Sequence, residues 1–122
     1  MIPNNTISKP TVFEQLVYSI VSEIPCGKVA TYTQIATMVG NRNSTRAVGN
    51  ALHKNPYAPI VPCHRVVSIR GKLAKNFGAS GGIEIQKKRL IEEGVSVENL
   101  TVDLVTYQWE ATPDKKLFTT CS

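Results

Sequence analysis

The chain has few of the residues that bind metals or build disulfide frameworks. It has three cysteines, with no Cys-X-X-Cys pair, and two histidines, so neither a zinc site nor a disulfide scaffold is indicated. No apolar run approaches the roughly 18 residues of a membrane span, and residues 1–5 lack the basic-then-apolar order of a secretory signal. We therefore expect one soluble, intracellular domain without a metal, in the cytoplasm or, in a eukaryote, the nucleus.

Acidic residues are nearly missing from the middle of the chain. Residues 24–91 carry eleven Lys or Arg and one carboxylate, a net charge of +10, whereas residues 1–23 carry −1 and residues 92–122 carry −4. A basic middle between acidic ends is the footprint expected for a polyanion such as nucleic acid. A basic face that is merely solvated is the alternative, and charge alone does not decide between them.

Two helices are predicted from the signals at their ends. A Thr-X-X-Glu or Thr-X-X-Gln sequence occurs at residues 11–14 and again at residues 31–34, and in each case the two side chains can cap amides at a helix start. The first sequence precedes an apolar stripe with helical spacing that Pro25 ends. The second precedes a short helix that Gly40 closes.

A third helix is predicted after the turn at residues 40–43. Ser44 is placed to cap it, and the helix is expected to extend to about Lys54. Two short helices joined by such a turn form a helix-turn-helix, whose second helix is the usual DNA reader. A three-helix packing unit without a DNA role is the alternative.

The outer face of this third helix combines polar and small residues. Arg46, Asn50 and His53 fall at i, i+4 and i+7 and project together. Ala47 and Gly49 are small enough to let the helix sit deep in a narrow groove. Gly49 costs about 1 kcal/mol of helix stability relative to alanine, so we expect it to permit close approach of another backbone.

The second half of the chain predicts smaller elements. Residues 66–74 are typical of a hairpin that forms a wing beside a helix-turn-helix, and residues 83–93 of a helix that Gly94 ends. Alternation from Leu100 toward Trp109 indicates a last strand. We expect a mainly α fold with small β, a winged helix-turn-helix on a three-helix bundle over residues 11–110. Residues 1–10 are expected to be a flexible arm and residues 111–122 a disordered tail, with Cys26 a turn residue and Cys121 an incidental thiol.

Cys63 stands between a proline and two ionisable side chains. Pro62 fixes its own φ and favours extended geometry before it, so the thiol is presented on a pre-shaped backbone. Cationic neighbours such as Arg65 or a protonated His64 lower a thiol pKa from about 8.5 and favour the reactive thiolate. An inert buried cysteine is the alternative.

Six motifs in order carry a family resemblance. They are Lys28-Val29-Ala30-Thr31-Tyr32, Arg46-Ala47-Val48-Gly49, Asn55-Pro56, Pro62-Cys63-His64-Arg65-Val66-Val67, Ser80-Gly81-Gly82 and Glu93-Gly94. This order, from about Phe13 to Gly94, resembles the DNA-binding, active-site domain of the O6-alkylguanine-DNA alkyltransferases. That family moves an alkyl group from guanine O6 to a cysteine, which by this match is Cys63. The resemblance implies single-turnover repair of double-stranded DNA by a monomer that needs no cofactor.

The resemblance also implies roles for residues that would contact DNA. Tyr32 looks like the tyrosine that helps rotate the lesion nucleotide out of the duplex and protonates the departing guanine. Arg46 looks like the arginine that fills the vacated stack. The DNA contacts so predicted are Thr31, Tyr32, Arg46, Ala47, Gly49, Asn50 and Arg65.

Further roles are implied around the thiol. Asn55 would brace the active-site loop, while Glu93, His64 and a water would form the relay that makes Cys63 a thiolate. The lesion pocket would be lined by Phe77, Gly78, Ala79 and Ser80.

The sequence departs from the family pattern in three places. We expect the larger N-terminal domain common in the family to be absent, which would leave the active-site domain alone. The loop from Cys63 to Ser80 is longer than in many members, and Phe77 stands near where a pocket tyrosine is often found. Residues 86–109 are similar to the alkyltransferase-like proteins, short relatives that bind the lesion without repairing it and usually carry tryptophan at the cysteine position.

Two other classes of function therefore stay in view. A lesion-binding module would flag damage to other repair proteins, and Cys63 argues against it. An ordinary winged-helix regulator would need no Pro62-Cys63-His64-Arg65 loop.

Overall fold

The computed structural model describes residues 10–74 and 82–110. Within these ranges the predicted fold class, mainly α with small β, is confirmed. No helix among the described residues is long and apolar enough to cross a membrane. The elements are α1 (Val12–Val21), β1 (Ala30–Thr31), α2 (Tyr32–Val39), α3 (Thr45–His53), β2 (Val66–Val67), α4 (Gly82–Glu92), β3 (Val97–Glu98), β4 (Thr101–Val102) and α5 (Leu104–Tyr107), with 3-10 turns at Arg42–Ser44 and Cys63–Arg65.

Both predicted capping boxes form. Thr11 Oγ1 accepts from the Glu14 amide at 3.1 Å, and Glu14 Oε1 accepts from the Thr11 amide at 3.0 Å. Thr31 and Gln34 make the same exchange at the start of α2, at 3.0 and 3.3 Å. Each box satisfies amides that the first helical turn leaves without partners, so local sequence sets where α1 and α2 begin.

Helix α1 ends earlier than the apolar stripe suggests. Its last residue is Val21, and Ser22 follows as the C-cap. The Ser22 hydroxyl donates to the carbonyl of Tyr18 at 2.7 Å. The polar side chain thus bonds the last helical turn, and Ile24 is buried from a turn before Pro25.

Ser44 does not cap α3 with its side chain, contrary to the prediction. Its hydroxyl donates to the carbonyl of Asn41 at 2.6 Å, and it makes no cap hydrogen bond to α3. Asn41 in turn accepts from the Asn43 amide at 3.0 Å and caps the 3-10 turn. The serine is used to close the turn that joins α2 to α3.

The core lies between α1, α2, α3 and the Cys63 turn. Strand β1 pairs with β2 in parallel, Ala30 opposite Val66 and Thr31 opposite Val67, which fixes the Cys63 turn against the start of α2. Each fully buried aliphatic side chain contributes about 1.5–3 kcal/mol relative to exposure. The largest aliphatic side chains of this cluster with under 2% exposure are Val17, Val21, Ile24, Ile35, Val48 and Val66.

The predicted hairpin over residues 66–74 is wrong. Strand β2 pairs with β1 and not with residues 72–74. Residues 68–72 form a turn, in which the Ser68 amide donates to the carbonyl of Lys72 at 3.0 Å. Lys72 then bridges to Thr101. Gly71 has φ +84°, and a Cβ there would collide with the carbonyl oxygen of Val102. The chain segment that looked like a wing strand is therefore held against β4.

The predicted last strand toward Trp109 is confirmed only at Thr101–Val102, which is β4, and at the isolated bridge from Gln108 to Val29; a helical turn interrupts it. Strands β3 and β4 form a short antiparallel hairpin, and residues 104–107 form the single helical turn α5. Asp103 causes the change, because its carboxylate accepts from the Val105 amide at 3.1 Å and from the Thr106 hydroxyl at 2.8 Å. A local cap overrides the alternating pattern.

Cys26 lies in the expected turn, where the Lys28 amide donates to the carbonyl of Pro25 at 3.1 Å. It is also disulfide-bonded, which the odd cysteine count did not predict. The predictions for residues 1–9, for residues 75–81 and for residues 111–122, Cys121 among them, lie outside the described residues.

Candidate active site

Cys63 begins the 3-10 turn that leads into β2, and its side chain is buried, with 5% of the residue exposed. Its amide donates to the carbonyl of Val61 at 2.8 Å. The side-chain amide of Asn55 donates to the same carbonyl at 2.9 Å, and Asn55 Oδ1 accepts from the Tyr57 amide at 2.9 Å. Asn55, just beyond α3, thus contacts the loop that presents the thiol.

Burial raises the pKa of the Cys63 thiol above its usual value. A hydrogen bond from Asn55 and the charge of Arg89 act in the opposite direction but do not outweigh it. The expectation that Arg65 or a protonated His64 lowers this pKa is therefore wrong. At neutral pH the thiol keeps its proton unless a base removes it.

His64, Arg65 and Glu93 form one bonded group behind the thiol. Nε2 of His64 lies 2.8 Å from Glu93 Oε2. Arg65 grips the same carboxylate with Nε at 2.8 Å and Nη2 at 2.7 Å, while its Nη1 donates to the carbonyl of Ile24 at 2.7 Å. Bidentate guanidinium–carboxylate pairs are among the strongest protein hydrogen bonds, so Glu93 is held firmly beyond the end of α4.

Burial lowers the pKa of His64 below its usual range, although the Glu93 carboxylate acts against this. The imidazole is accordingly neutral at neutral pH, with its proton placed on Nε2 toward Glu93. Nδ1 is then an acceptor, and it is buried without a hydrogen-bond partner among the described residues. A buried acceptor that the protein leaves unpaired is uncommon and points to a ligand, a water or a proton-transfer role.

Glu93 stays ionised within this group. Burial alone raises its pKa, but hydrogen bonds from Arg65 and then His64 bring the pKa below its usual value. The carboxylate can therefore stabilise a positive imidazolium on His64 should that ring take up a proton.

Tyr32 is the first residue of α2 and packs against the core that contains Cys63. Burial, followed by the charge of Cys63, raises the pKa of Tyr32 to about 12, so its hydroxyl is a proton donor at neutral pH. Gly49 on α3 faces this ring, since a Cβ at Gly49 would meet Tyr32 Cε1 at 3.9 Å. Within the described residues no other protein backbone approaches Gly49, whereas close approach of a DNA backbone there stays a prediction.

Four of the predicted DNA contacts lie on α3. Arg46, Ala47 and Asn50 are exposed, and Gly49 is half-buried. They follow Arg42, a further exposed cation in the turn before α3. The helix thus offers a polar, basic surface of small residues next to Tyr32.

The structure gives two other predicted DNA contacts different partners. Thr31 is 4% exposed, and its hydroxyl oxygen accepts from the Gln34 amide as a helix cap. The guanidinium of Arg65 is bonded to Glu93 and to the carbonyl of Ile24. Both side chains are thus engaged within the protein, which argues against DNA contacts by either; the two assignments stay predictions. The predicted pocket residues Phe77, Gly78, Ala79 and Ser80 lie outside the described residues.

Sequence reasoning missed Gln86 and Arg89. Gln86 is fully buried and bonds to three backbone groups around the Cys63 turn. Arg89 lies near enough for its charge to lower the pKa of both Cys63 and His64. The sequence did contain a signal for Gln86, because this polar residue lies between Ile83 and Leu90 on the apolar stripe of the predicted helix. Nothing in the sequence pattern marked Arg89.

Residues 12–95 match the family model described as "6-O-methylguanine DNA methyltransferase, DNA binding domain". Among similar proteins, the methylated-DNA–protein-cysteine methyltransferase of Methanosarcina acetivorans is 44% identical over 84 residues, which are 69% of this chain and 52% of that protein. The chain spans about half the length of the curated methyltransferases that it matches. Alkyltransferase-like protein 1 of Schizosaccharomyces pombe is 41% identical over 104 residues, 80% of this chain and 94% of that protein.

Solved structures fall into the same two groups. Atl1 of S. pombe, in complex with damaged DNA containing O6-carboxymethylguanine, has a TM-score of 0.74 and 39% identity, covering 85% of this chain and all of that one. The O6-methylguanine methyltransferase of Mycobacterium tuberculosis has a TM-score of 0.63 and 41% identity, covering 70% of this chain and 50% of that one.

Proposed function

Because the chain belongs to the 6-O-methylguanine DNA methyltransferase family, we propose that it repairs O6-alkylguanine in duplex DNA by taking the alkyl group onto Cys63. One observation carries the proposal. Cys63 is held next in sequence to a buried, neutral histidine whose Nε2 is bonded to Glu93 and whose Nδ1 has no partner among the described residues. A thiol that must lose its proton thus has a base beside it in the chain.

DNA binding begins the proposed reaction. The exposed face of α3, with Arg46 and Asn50, and the +10 charge of residues 24–91 favour a polyanion. The O6 alkyl group cannot be reached inside a stacked duplex, so the nucleotide must leave the stack at a cost of a few kcal/mol. Arg46 fills the gap and offsets part of that cost.

Proton removal comes next. The Cys63 proton passes through a water to Nδ1 of His64, and Glu93, held by Arg65, stabilises the imidazolium that forms. The raised pKa of the Cys63 thiol means that little thiolate exists until this relay operates. A thiolate formed in a buried site is weakly solvated and strongly nucleophilic.

Transfer is a displacement at carbon. The Cys63 sulfur forms a bond to the alkyl carbon while the bond from that carbon to guanine O6 breaks with its electron pair. Tyr32, whose pKa of about 12 keeps its hydroxyl protonated, donates a proton to the leaving guanine. The imidazolium of His64 then returns its proton through solvent to the Tyr32 phenolate. The product is a thioether, for which the site offers no hydrolytic step, so each molecule reacts once.

A second function has a specific observation in its favour. The relative that this chain covers almost completely is an alkyltransferase-like protein, and its solved complex contains damaged DNA. Lesion binding without transfer, which flags damage to other repair proteins, is therefore the competing proposal. Cys63 is the residue that speaks against it.

Intact-mass analysis tests the proposal directly. Incubation with duplex DNA carrying O6-methylguanine should add one methyl mass to the protein, and peptide mapping should place it on Cys63 and not on Cys26 or Cys121. Undamaged DNA of the same sequence is the control. Tight, lesion-selective binding without added mass would replace transfer by lesion flagging.

A further inference from the structure

Gln86 is the buried polar side chain for which the proposed reaction has no use. Its Nε2 donates to the carbonyls of His64 at 3.2 Å and Val66 at 3.0 Å, and its Oε1 accepts from the Ala74 amide at 2.7 Å. None of the residue is exposed. A primary amide has two N–H donors and an acceptor oxygen, and here all three bond to backbone groups.

These contacts place Gln86 against the backbone that follows Cys63. The carbonyls of His64 and Val66 flank Arg65, and they belong to the 3-10 turn that Cys63 begins and to the strand that follows it. The donor half of the amide therefore bonds the backbone of the turn and of the strand that follows it. The acceptor half holds Ala74, a neighbouring segment.

We propose that Gln86 is a positioning residue, whose two donated hydrogen bonds hold the Cys63–Arg65 turn in the geometry that transfer requires. Among the described residues no hydrogen bond joins Gln86 to the thiol or to Nδ1 of His64, so its effect passes through the backbone. In-line displacement tolerates little misplacement, and an error of about 1 Å can cost about a hundredfold in rate. The consequence for repair depends on the proposed function, whereas the positioning of the turn does not.

Three substitutions separate the two halves of the amide. Gln86→Lys keeps a donor for the two carbonyls and loses the acceptor, Gln86→Glu keeps an acceptor for Ala74 and loses the donors when ionised, and Gln86→Met of similar length has neither. The same three changes at Gln15, an exposed residue of α1 whose side chain donates to the carbonyl of Pro10 at 3.0 Å, are the matched controls.

The first measurement is the single-turnover methyl-transfer rate as a function of lesion-DNA concentration, with melting temperatures alongside. We expect Gln86→Glu and Gln86→Met to lower the saturating rate by about tenfold to a hundredfold, with an unchanged half-saturating concentration because α3 is untouched. The Gln86→Lys variant should keep a saturating rate close to that of the wild type. Loss of rate that is equal in all three variants and follows their melting temperatures would overturn the inference, because it would indicate a purely structural role.

The second measurement uses no DNA. Cys63 is labelled with iodoacetamide at a temperature where every variant is folded, and the label is quantified by peptide mass spectrometry. The labelling rate reports the accessibility and reactivity of the Cys63 thiol. We expect Gln86→Glu and Gln86→Met to change the labelling rate, and Gln86→Lys and the Gln15 variants to match the wild type. Labelling that is identical in all variants would refute positioning. If wild-type protein gains no methyl group from lesion DNA, the proposed function fails, while the labelling pattern still decides the role of Gln86.

Discussion

The site behind Cys63 and the outer face of α3 are built in opposite ways. Behind the thiol, Glu93 is bonded by His64 and twice by Arg65 at 2.7–2.8 Å, with most of each side chain out of solvent. On α3, Arg46 and Asn50 are exposed on a helix of small residues. Preorganised polar groups suit a reaction that needs fixed charges, whereas an exposed basic face suits the phosphates of many sequences. Chemistry and DNA binding should therefore respond to different substitutions.

The most complete separation is expected from Cys63→Ser. It should abolish methyl transfer, because a neutral histidine is too weak a base to deprotonate a serine hydroxyl. The affinity for lesion DNA should stay close to that of the wild type, because α3 is unchanged. Intact mass and fluorescence-anisotropy binding, measured on the same preparation, test both halves. Loss of binding together with transfer would mean that the two regions are not independent.

Glu93→Gln should give the next largest effect. The substitution leaves His64 without a carboxylate to stabilise its imidazolium and leaves Arg65 partly buried without its charge partner, which costs stability as well as rate. We expect single-turnover transfer to fall by about a hundredfold, as is common when one group of a proton relay is removed. Lesion affinity measured well below the melting temperature is the internal control.

The pH profile refines this prediction. The pKa of His64 is lowered, so transfer should be constant above about 6.5 and decline as the ring is protonated at a lower pH. Because the pKa of His64 is lowered on folding, the folded chain binds fewer protons than the unfolded chain below about pH 6.5. The lowered pKa of Glu93 has the same effect below about pH 4.3. The free energy of unfolding should therefore fall as the pH falls through each of these two ranges. Removing the Glu93 charge should move the acid limb of the rate profile to lower pH. A limb that does not move would show that His64 is not the relay base.

Local sequence predicted those parts of both regions that depend on neighbours in the chain. The Thr11 and Thr31 capping boxes formed as expected, because all their atoms lie within one helical turn. The predicted cap by Ser44 did not form because the Ser44 hydroxyl donates to the nearby carbonyl of Asn41 instead. The partners of Arg65 within the protein, Ile24 and Glu93, are distant in sequence, so no local pattern predicted them.

Burial, which no short pattern fixes, decided the error about the thiol. The thiol pKa of Cys63 was expected to be lowered by nearby cations, and the direction is reversed because desolvation outweighs charge at that depth. The role of Gln86 was missed because its partners, His64 and Val66, lie far from it in the chain. A polar residue on an apolar stripe is the signal that such positions leave, and it shows that a partner exists without showing which one.

Arg46→Ala addresses the other side of the comparison. It should weaken binding to duplex lesion DNA by about tenfold, because nothing then fills the vacated stack, and should affect single-stranded lesion DNA less. Melting temperature should not change, since Arg46 is exposed. Arg42→Ala, which removes an exposed cation from the preceding turn, is the matched control for loss of a phosphate contact. Equal losses on both substrates would reduce Arg46 to such a contact.

The smallest effect expected is that of Thr31→Ala, and it tests the boundary between the two regions. The Thr31 side chain is buried and caps α2, so its loss should lower the free energy of unfolding by about 1 kcal/mol and leave DNA affinity unchanged. Thr11→Ala removes the same kind of cap from α1, at a position far along the chain from the α3 face, and should cost a similar amount. Chemical denaturation gives both free energies, and binding titrations at moderate salt give the affinities. A Thr31→Ala variant that binds DNA several-fold more weakly, beside a Thr11→Ala variant that does not, would show that the start of α2 contributes to DNA binding, through Thr31 itself or through the neighbouring Tyr32.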